Sequence, residues 1–372
     1  MVAMSGGVDS SVTAGLLVEA GYEVIGVHMK LHSAPAAPDA GVVTGPPAGA
    51  SKTCCGLDDA LDARRVADRL GIPFHVMDLR EAFQKAVIDD LVDTYMGGAT
   101  PNPCIQCNGV LKFRVLLSRA MALGASKLAT GHYARVTSEP ALRTAVDGDK
   151  DQTYFLFPMT PAALSRTLFP LGGLSKSEVR EHARRMGLST AEKPESQEIC
   201  FIPDQDHAGF IARSRPAAEG AGEIVDEAGC VVGKHDGYWR FTVGQRRGLN
   251  VALGRRVYVQ RIEPSTRRVV ISGPDALWSS GIEATRWVWH ERPAPDEVVQ
   301  VRIRHQGGLL PARVTGGEAP EIVLLEDAWA VAPGQAVVVY RGDRVLGGAW
   351  IRRGKGSRPV AVPARMKRLE GA

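Results

Sequence analysis

Through the first half of the chain, apolar positions alternate between short β-rich runs and segments spaced at three and four residues. Val2, Ala3 and Met4 make an apolar start, and Val12, Leu16, Leu17 and Ala20 then repeat at helical spacing until Gly21. Residues 22–31 form a run rich in β-branched side chains. An amphipathic helix is predicted over 57–70, through Leu57, Ala60, Leu61, Val66, Ala67 and Leu70, stopped by Gly71 and feeding a strand at 74–79. Helices over 82–96 and 110–123 and a strand at 127–130 continue the series, and Ser175 with Glu178 marks a capping box for a helix ending near Met186. Such alternation predicts a parallel sheet covered by helices on both faces. The stretch 33–51, rich in Ala, Pro and Gly and without periodicity, reads as a mobile loop.

From about Gly222 the pattern changes to short alternating strands separated by turn residues, at 223–225, 237–243, 256–262 and 268–271. A second β series follows at 298–303, 312–314, 321–325, 336–340 and 344–351. Spacing of this kind indicates small barrels or sandwiches. The expected organisation is an α/β parallel-sheet domain over 1–212, a small β-rich domain over 213–282, a C-terminal β-barrel over 283–353 and a basic, disordered tail over 354–372.

Composition agrees with several domains, since 372 residues exceed what one core comfortably fills. No apolar stretch approaches the roughly 18 residues of a membrane span. The start carries neither a basic leader nor a cleavable apolar segment, so a cytoplasmic protein with no membrane partner is expected. The net charge of +4 is unevenly spread. Between Lys234 and Arg268 there are nine Lys and Arg against Asp236 and Glu263, and from Arg352 onward seven against Glu370 alone. That excess fits a polyanion such as a nucleic acid backbone, or a solvated face and tail; Arg180, Arg184 and Arg185 pose the same choice on the capped helix.

Ser5-Gly6-Gly7-Val8-Asp9-Ser10 stands between the first strand and the first helix. Paired glycines let the backbone approach an anion, and a helix start aims unpaired N–H groups and its positive dipole end at that point. A phosphate is the expected occupant, the plain alternative being an ordinary strand-to-helix turn. The loop lacks the Gly-Lys-Ser/Thr ending of a Walker A loop and the third glycine of a dinucleotide fingerprint. It resembles the pyrophosphate loop of the ATP pyrophosphatases, which cleave ATP between its α and β phosphates and adenylate an oxygen.

Six cysteines, four of them paired as Cys54-Cys55 and Cys104/Cys107, point to chemistry or metal binding more than to a disulfide scaffold. In Thr100-Pro101-Asn102-Pro103-Cys104-Ile105-Gln106-Cys107-Asn108 both thiols flank the start of a helix expected near Asn108, a location that favours the thiolate. Another cysteine lies in Glu195-Ser196-Gln197-Glu198-Ile199-Cys200-Phe201. Together with Gly131-His132-Tyr133-Ala134-Arg135, Lys150-Asp151-Gln152-Thr153-Tyr154-Phe155-Leu156 and Thr242-Val243-Gly244-Gln245-Arg246-Arg247-Gly248-Leu249, these motifs run in order from residue 3 to about residue 351. The set resembles the bacterial tRNA-specific 2-thiouridylases, whose first domain has the ATP pyrophosphatase (adenine nucleotide α-hydrolase-like) fold.

The resemblance implies an enzyme, a tRNA-uridine 2-sulfurtransferase. ATP with Mg²⁺ would bind at Ala3, Met4, Ser5, Gly6, Gly7, Val8, Asp9 and Ser10, with Met29 and Gly131 near the nucleoside, and would adenylate the C2 oxygen of a tRNA wobble uridine. It implies that Cys200 receives sulfur as a persulfide from an upstream sulfur carrier or cysteine desulfurase. Cys107 would then attack that persulfide or help release sulfide, leaving a Cys107–Cys200 disulfide. Asn102, Pro103 and Cys104 would face the target base, while His132, Lys150, Asp151, Gln152, His305, Gln306 and Gln335 match positions that contact tRNA.

One position departs from the pattern: Cys104 stands where well-studied members carry Asp, which is proposed to act in proton transfer. A thiol could still move a proton, or Cys104, Cys107 and Cys200 could hold a [4Fe-4S] cluster that delivers sulfide, so both sulfur routes stay open. A zinc site using Cys54 and Cys55 is weaker, and these are otherwise expected near the sheet, with Cys230 a structural β residue. Two other functions compete: an amine-transferring ATP pyrophosphatase ligase, for which no glutaminase motif is evident, and a noncatalytic tRNA-binding protein whose loop merely holds ATP.

Overall fold

The computed structural model describes residues 1–31, 57–194, 199–202 and 206–356. The predicted loop at 33–51, Cys54, Cys55 and the chain beyond Gly356 lie outside the described residues.

The first domain contains β1 (Val2–Ala3), β2 (Gly26–Lys30), β3 (Phe74–Asp78), β4 (Leu128–Ala129), β5 (Ala134–Val136), β6 (Leu142–Thr144) and β7 (Thr167–Leu168). Five of these make a parallel sheet in the order β3-β2-β1-β4-β7. The chain builds outward from β1 to β3, then returns to the other side of β1 at β4. A crevice opens at such a reversal, beyond the carboxyl ends of the strands. The period-2 pattern of β1 shows why helices cover both faces. Val2 and Met4 pack with Val8 and Val12 of α1 (Val8–Glu19) and Val66 of α2 (Leu57–Leu70), whereas Ala3 packs with Phe83, Leu111 and Leu128.

A four-stranded sheet forms the central domain from β8 (Gly222–Val225), β9 (Val231–His235), β10 (Tyr258–Glu263) and β11 (Arg268–Ser272), in the order β10-β11-β8-β9. The predicted strand at 237–243 is instead a 3₁₀ turn over Tyr238–Arg240. Tyr238, Trp239 and Phe241 all point into the same core, which a strand's alternation would forbid, and Tyr238 Oη donates to Met96 O at 2.9 Å. Aromatic richness therefore signalled burial, not extension.

The barrel comprises β12 (Trp278–Trp289), β13 (Val299–Arg302), β14 (Leu310–Val314), β15 (Glu321–Trp329), β16 (Ala336–Arg341) and β17 (Arg344–Lys355). These pair antiparallel in the order β12-β15-β14-β13-β16-β17, and β12–β17 pairing closes the ring. Its first strand starts at Trp278, ahead of the boundary expected at 283, and its last runs to Lys355. Lys355, expected to stand in the free basic tail, is thus a barrel residue paired with Glu321, and Arg352 and Arg353 before it pair with Glu283.

Several contacts stitch the first domain to the barrel, two of them at the β5–β6 hairpin and at Asp151. The β5–β6 hairpin extends the barrel sheet at β17, where Asp343 accepts from Arg135 at 2.9 Å and from Arg143 at 2.5 Å. Asp151, expected at the tRNA surface, is only 3% exposed. Its carboxylate accepts from Ala145 N at 3.1 Å, from Thr153 Oγ1 at 2.8 Å and from Arg302 Nη1 of β13 at 3.3 Å. A carboxylate with these partners is a brace between domains and has no reach to an RNA backbone. Removing one member of a buried ion pair strands the other, which costs roughly 3–5 kcal/mol. Asp151→Ala is therefore expected to lower the free energy of unfolding by about that amount in urea titrations; a loss under about 1 kcal/mol would mean that Arg302 finds water or another partner.

Candidate active site

Ser5, Gly6 and Gly7 turn the chain from β1 into α1. Gly6 is left-handed at φ +78°, and a Cβ there would overlap the backbone carbonyl of Asp59 in α2. Serine hydroxyls fix the turn: Ser10 Oγ accepts from Ser5 N at 3.1 Å and donates to Gly7 O at 3.1 Å, and Ser11 Oγ donates to Gly7 O at 2.8 Å. Across the sheet reversal, Gly131 follows β4 and lies so close to α1 that a Cβ would stand 2.8 Å from Asp9 C and Ser10 N. The two loops thus meet backbone to backbone at the crevice.

Cations converge there. Lys176 Nζ donates to Asp9 Oδ1 at 2.7 Å, and Tyr133 Oη donates to the same oxygen at 3.0 Å. Lys193 Nζ donates to Gly6 O at 3.0 Å, Asp59 Oδ1 at 2.7 Å and Asp62 Oδ2 at 2.6 Å. Burial alone would pull the Lys193 ammonium down, but Asp59 and Asp62 outweigh it and hold its pKa above the ordinary lysine value. His132 is buried, and desolvation followed by the charge of Lys112 holds its pKa well below the usual imidazole range. Lys112 Nζ lies 3.4 Å from Nε2 and Thr130 Oγ1 lies 2.7 Å from Nδ1. The imidazole is therefore neutral, accepting from Lys112 and carrying its proton on Nδ1.

A single cavity of about 400 Å³ joins these groups to the cysteines. Its wall includes Ser5, Gly7, Val8, Asp9 and Met29, then Lys112, Lys150, Lys176 and Lys193, then Cys104, Cys107 and Cys200. The helix carrying the first two thiols begins at Pro103, five residues ahead of its expected start, with Asn102 as N-cap. Cys107 opens a π-helical stretch, Cys107–Leu116, a widened turn often found at functional sites. Barrel and central domain fix the approach to this helix. Gln335 Nε2 donates to Thr100 O at 3.0 Å and Pro101 O at 3.3 Å, Thr100 N donates to Pro333 O at 2.7 Å, and Thr100 Oγ1 donates to Thr242 Oγ1 at 3.3 Å.

Residues 1–204 match the model of a tRNA methyl transferase HUP domain, 208–273 a tRNA methyl transferase PRC-barrel domain and 279–351 an aminomethyltransferase β-barrel domain. Over the full length, the tRNA-specific 2-thiouridylase MnmA of Geobacter metallireducens is 48% identical, covering 94% of this chain and 96% of its own. The enzyme of the same name from Rhodospirillum centenum is 46% identical over 98% and 95%. The chain belongs to the tRNA-specific 2-thiouridylase family. Among solved structures, the U34-tRNA thiolase NcsA from Methanococcus maripaludis with its [4Fe-4S] cluster is 18% identical over 58% of this chain and 65% of its own, at a TM-score of 0.33. That likeness is too remote to bear on a cluster in this 2-thiouridylase.

Among the described residues no three His, Cys, Asp or Glu side chains gather closely enough to hold a metal ion. Cys104, Cys107 and Cys200 share a wall without forming a coordination sphere, so the cluster reading finds no support in their placement. Of the residues matched to the nucleotide site, Ser5, Gly7, Val8, Asp9 and Met29 line the cavity; Ala3 and Met4 are buried in the sheet, and Gly6, Ser10 and Gly131 shape the wall from behind. Pro103, His132, Lys150 and Gln152 also line it. Gln152 Oε1 accepts from Tyr133 N at 3.0 Å. His305 is half-buried against the Phe155 ring at 4.3 Å, beside exposed Gln306. Gln335 is spent on the Thr100–Pro101 backbone. Arg180 is tied to the Ala191 and Lys193 carbonyls, Arg184 to Glu192 and Arg185 to Glu19. Cys230 is exposed in the turn before β9, not packed within a strand.

Lys112, Lys176, Lys193 and Asp59 had no assigned role from the sequence. Only Lys176 left a signal: it occupies the first position of the helix Lys176–Arg185, where the dipole disfavours a cation. The close approach at Gly131 yields a direct test. Gly131→Ala must push Asp9 and Ser10 aside, and misplacement of this order costs on the order of 10²-fold in rate. Formation of AMP from ATP with unmodified tRNA should fall by about that factor while far-UV circular dichroism is unchanged; wild-type AMP formation would contradict the assigned contact.

Proposed function

We propose that this 2-thiouridylase converts the C2 carbonyl of a tRNA wobble uridine to a thiocarbonyl at the expense of ATP, releasing AMP and pyrophosphate. The observation that carries the reading is the single cavity in which a phosphate-type loop and three thiols face one another. The uridine oxygen attacks the α-phosphate, pyrophosphate leaves, and the oxygen becomes part of a good leaving group. Loop N–H groups and the start of α1 receive phosphate charge, and Lys112, Lys150, Lys176 and Lys193 add to it in a partly enclosed site. Mg²⁺ accompanying the nucleotide would neutralise further charge, and Asp9, whose carboxylate lines the cavity, would hold it.

Sulfur then arrives from a Cys200 persulfide. Its terminal sulfur attacks C2 and expels AMP, and Cys107 attacks Cys200 Sγ, freeing the thiocarbonyl and leaving a Cys107–Cys200 disulfide. An upstream persulfide carrier or cysteine desulfurase supplies the sulfur, in the cytoplasm. Consistent with that setting, no helix among the described residues is long and apolar enough to cross a membrane.

The partner tRNA is met by the central domain. Within the basic block, Arg261, Arg267 and Arg268 are paired with Glu263, Glu219 and Glu223. Arg246, Arg247, Arg255 and Arg256 are exposed, form no ion pair among the described residues, and rim or flank one groove. Unneutralised guanidinium groups so grouped suit phosphate oxygens.

Cys107→Ser and Cys200→Ser should each eliminate 2-thiouridine from the tRNA digest by mass spectrometry, because a hydroxyl neither carries a persulfide nor closes a disulfide. Exposed Cys230, changed to Ser, should retain most activity. Thiolation surviving in either of the first two variants would remove the relay.

A further inference from the structure

We propose that Cys104 is a resolving thiol that moves the product disulfide out of the cavity after each sulfur transfer, an inference that rests on the persulfide route proposed above. Cys104 and Cys107 are three residues apart on one continuous helical segment, 103–122, so their Cβ atoms share a face. Neighbours three apart on a helix fall within the Cα separation of ordinary disulfides. Cys200 lines the same cavity. Exposure distinguishes the three: Cys104 is exposed, whereas Cys107 and Cys200 are half-buried. A disulfide between the two inner thiols would therefore be shielded from solvent, whereas Cys104 is the thiol a reductant in solution can reach.

The step is a thiol–disulfide exchange. Cys104 loses its proton and its sulfur attacks Cys107 Sγ; a Cys104–Cys107 bond forms, the Cys107–Cys200 bond breaks, and the electron pair leaves on Cys200 Sγ, which takes up a proton. One disulfide replaces another, with no net oxidation or reduction. Cys200 is then a thiol again and can accept the next persulfide. An external dithiol reductant removes the Cys104–Cys107 bond, supplying the two electrons that the persulfide route consumes in every turnover. The helix start is anchored by Gln335 and Pro333 from the barrel, so the attacking pair is held in place while Cys200 approaches from its own segment.

The test maps disulfides in the full-length enzyme. Cys200 is loaded with cysteine and a cysteine desulfurase, excess reagent is removed, and one turnover with ATP and unmodified tRNA is run anaerobically without reductant. Acid-quenched protein is alkylated and digested, and each disulfide is counted per 2-thiouridine formed, with a sample lacking ATP as baseline. Wild type should hold the Cys104–Cys107 pair in a single peptide with Cys200 alkylated. Cys104→Ser should hold a Cys107–Cys200 cross-link, and should need at least tenfold more dithiol for half-maximal turnover. A wild-type map with Cys107–Cys200 joined and Cys104 alkylated overturns the resolving role while leaving the relay intact. Thiouridine formed with no disulfide anywhere overturns the relay itself. Should the variant fail to fold, the wild-type map decides alone.

Discussion

The backbone of Gly131 lies directly against Asp9 and Ser10, and the whole active cavity depends on that contact. β4 returns to the sheet beside β1 after two strands have been laid on the other side, and a crevice at such a reversal is only as deep as its two loops permit. With no Cβ at 131 and none at Gly6, loop packs on loop and on the Asp59 carbonyl without displacing the start of α1. The unpaired N–H groups of that helix then face a wall carrying Lys112, Lys150, Lys176 and Lys193. The floor of the cavity is built there by close backbone approach, with lysines arranged around it.

A second constraint sets the cysteines. The segment 97–103 is gripped from both later domains: Gly334 and Gln335 of the barrel close on Thr100 and Pro101, and the central domain adds Thr242 and packs Ile262 and Pro264 against Gly98. Pro103 then starts the helix at once. The two later domains therefore locate Cys104 and Cys107. The Asp151–Arg302 brace and the β5–β6 hairpin on β17 keep the barrel in register with the catalytic sheet. tRNA bound along the later domains would load the same elements that position the thiols.

Much of this was readable in the sequence because it rests on local rules. The strand–turn–helix at residues 2–19, the capping box at Ser175 and the β series of the barrel follow from spacing and caps. What was not readable depends on contacts between distant segments. Asp151 looks like a surface polar residue until Arg302 of the barrel closes on it, and Gln335 until the Thr100–Pro101 segment docks against the barrel. The three-residue strands of the β5–β6 hairpin are too short to signal, and their pairing partner is some two hundred residues away. Tyr238, Trp239 and Phe241 read as a strand because strand propensity cannot tell extension from an aromatic turn packed into a core. Lys193 gives no local sign at all, since its role is made by Asp59, Asp62 and Gly6 from the other end of the domain.

If adenylation and sulfur transfer happen to one uridine in one cavity, the oxygen lost by the base leaves on the nucleotide. Transfer of ¹⁸O from a wobble uridine labelled at its C2 carbonyl tests this directly, by mass spectrometry of the AMP released in a single turnover in unlabelled water. Labelled AMP is expected in equal amount to the 2-thiouridine formed. Unlabelled AMP beside 2-thiouridine, with the ¹⁸O recovered in water, would contradict this, because the carbonyl oxygen would then have departed without ever being joined to the α-phosphate.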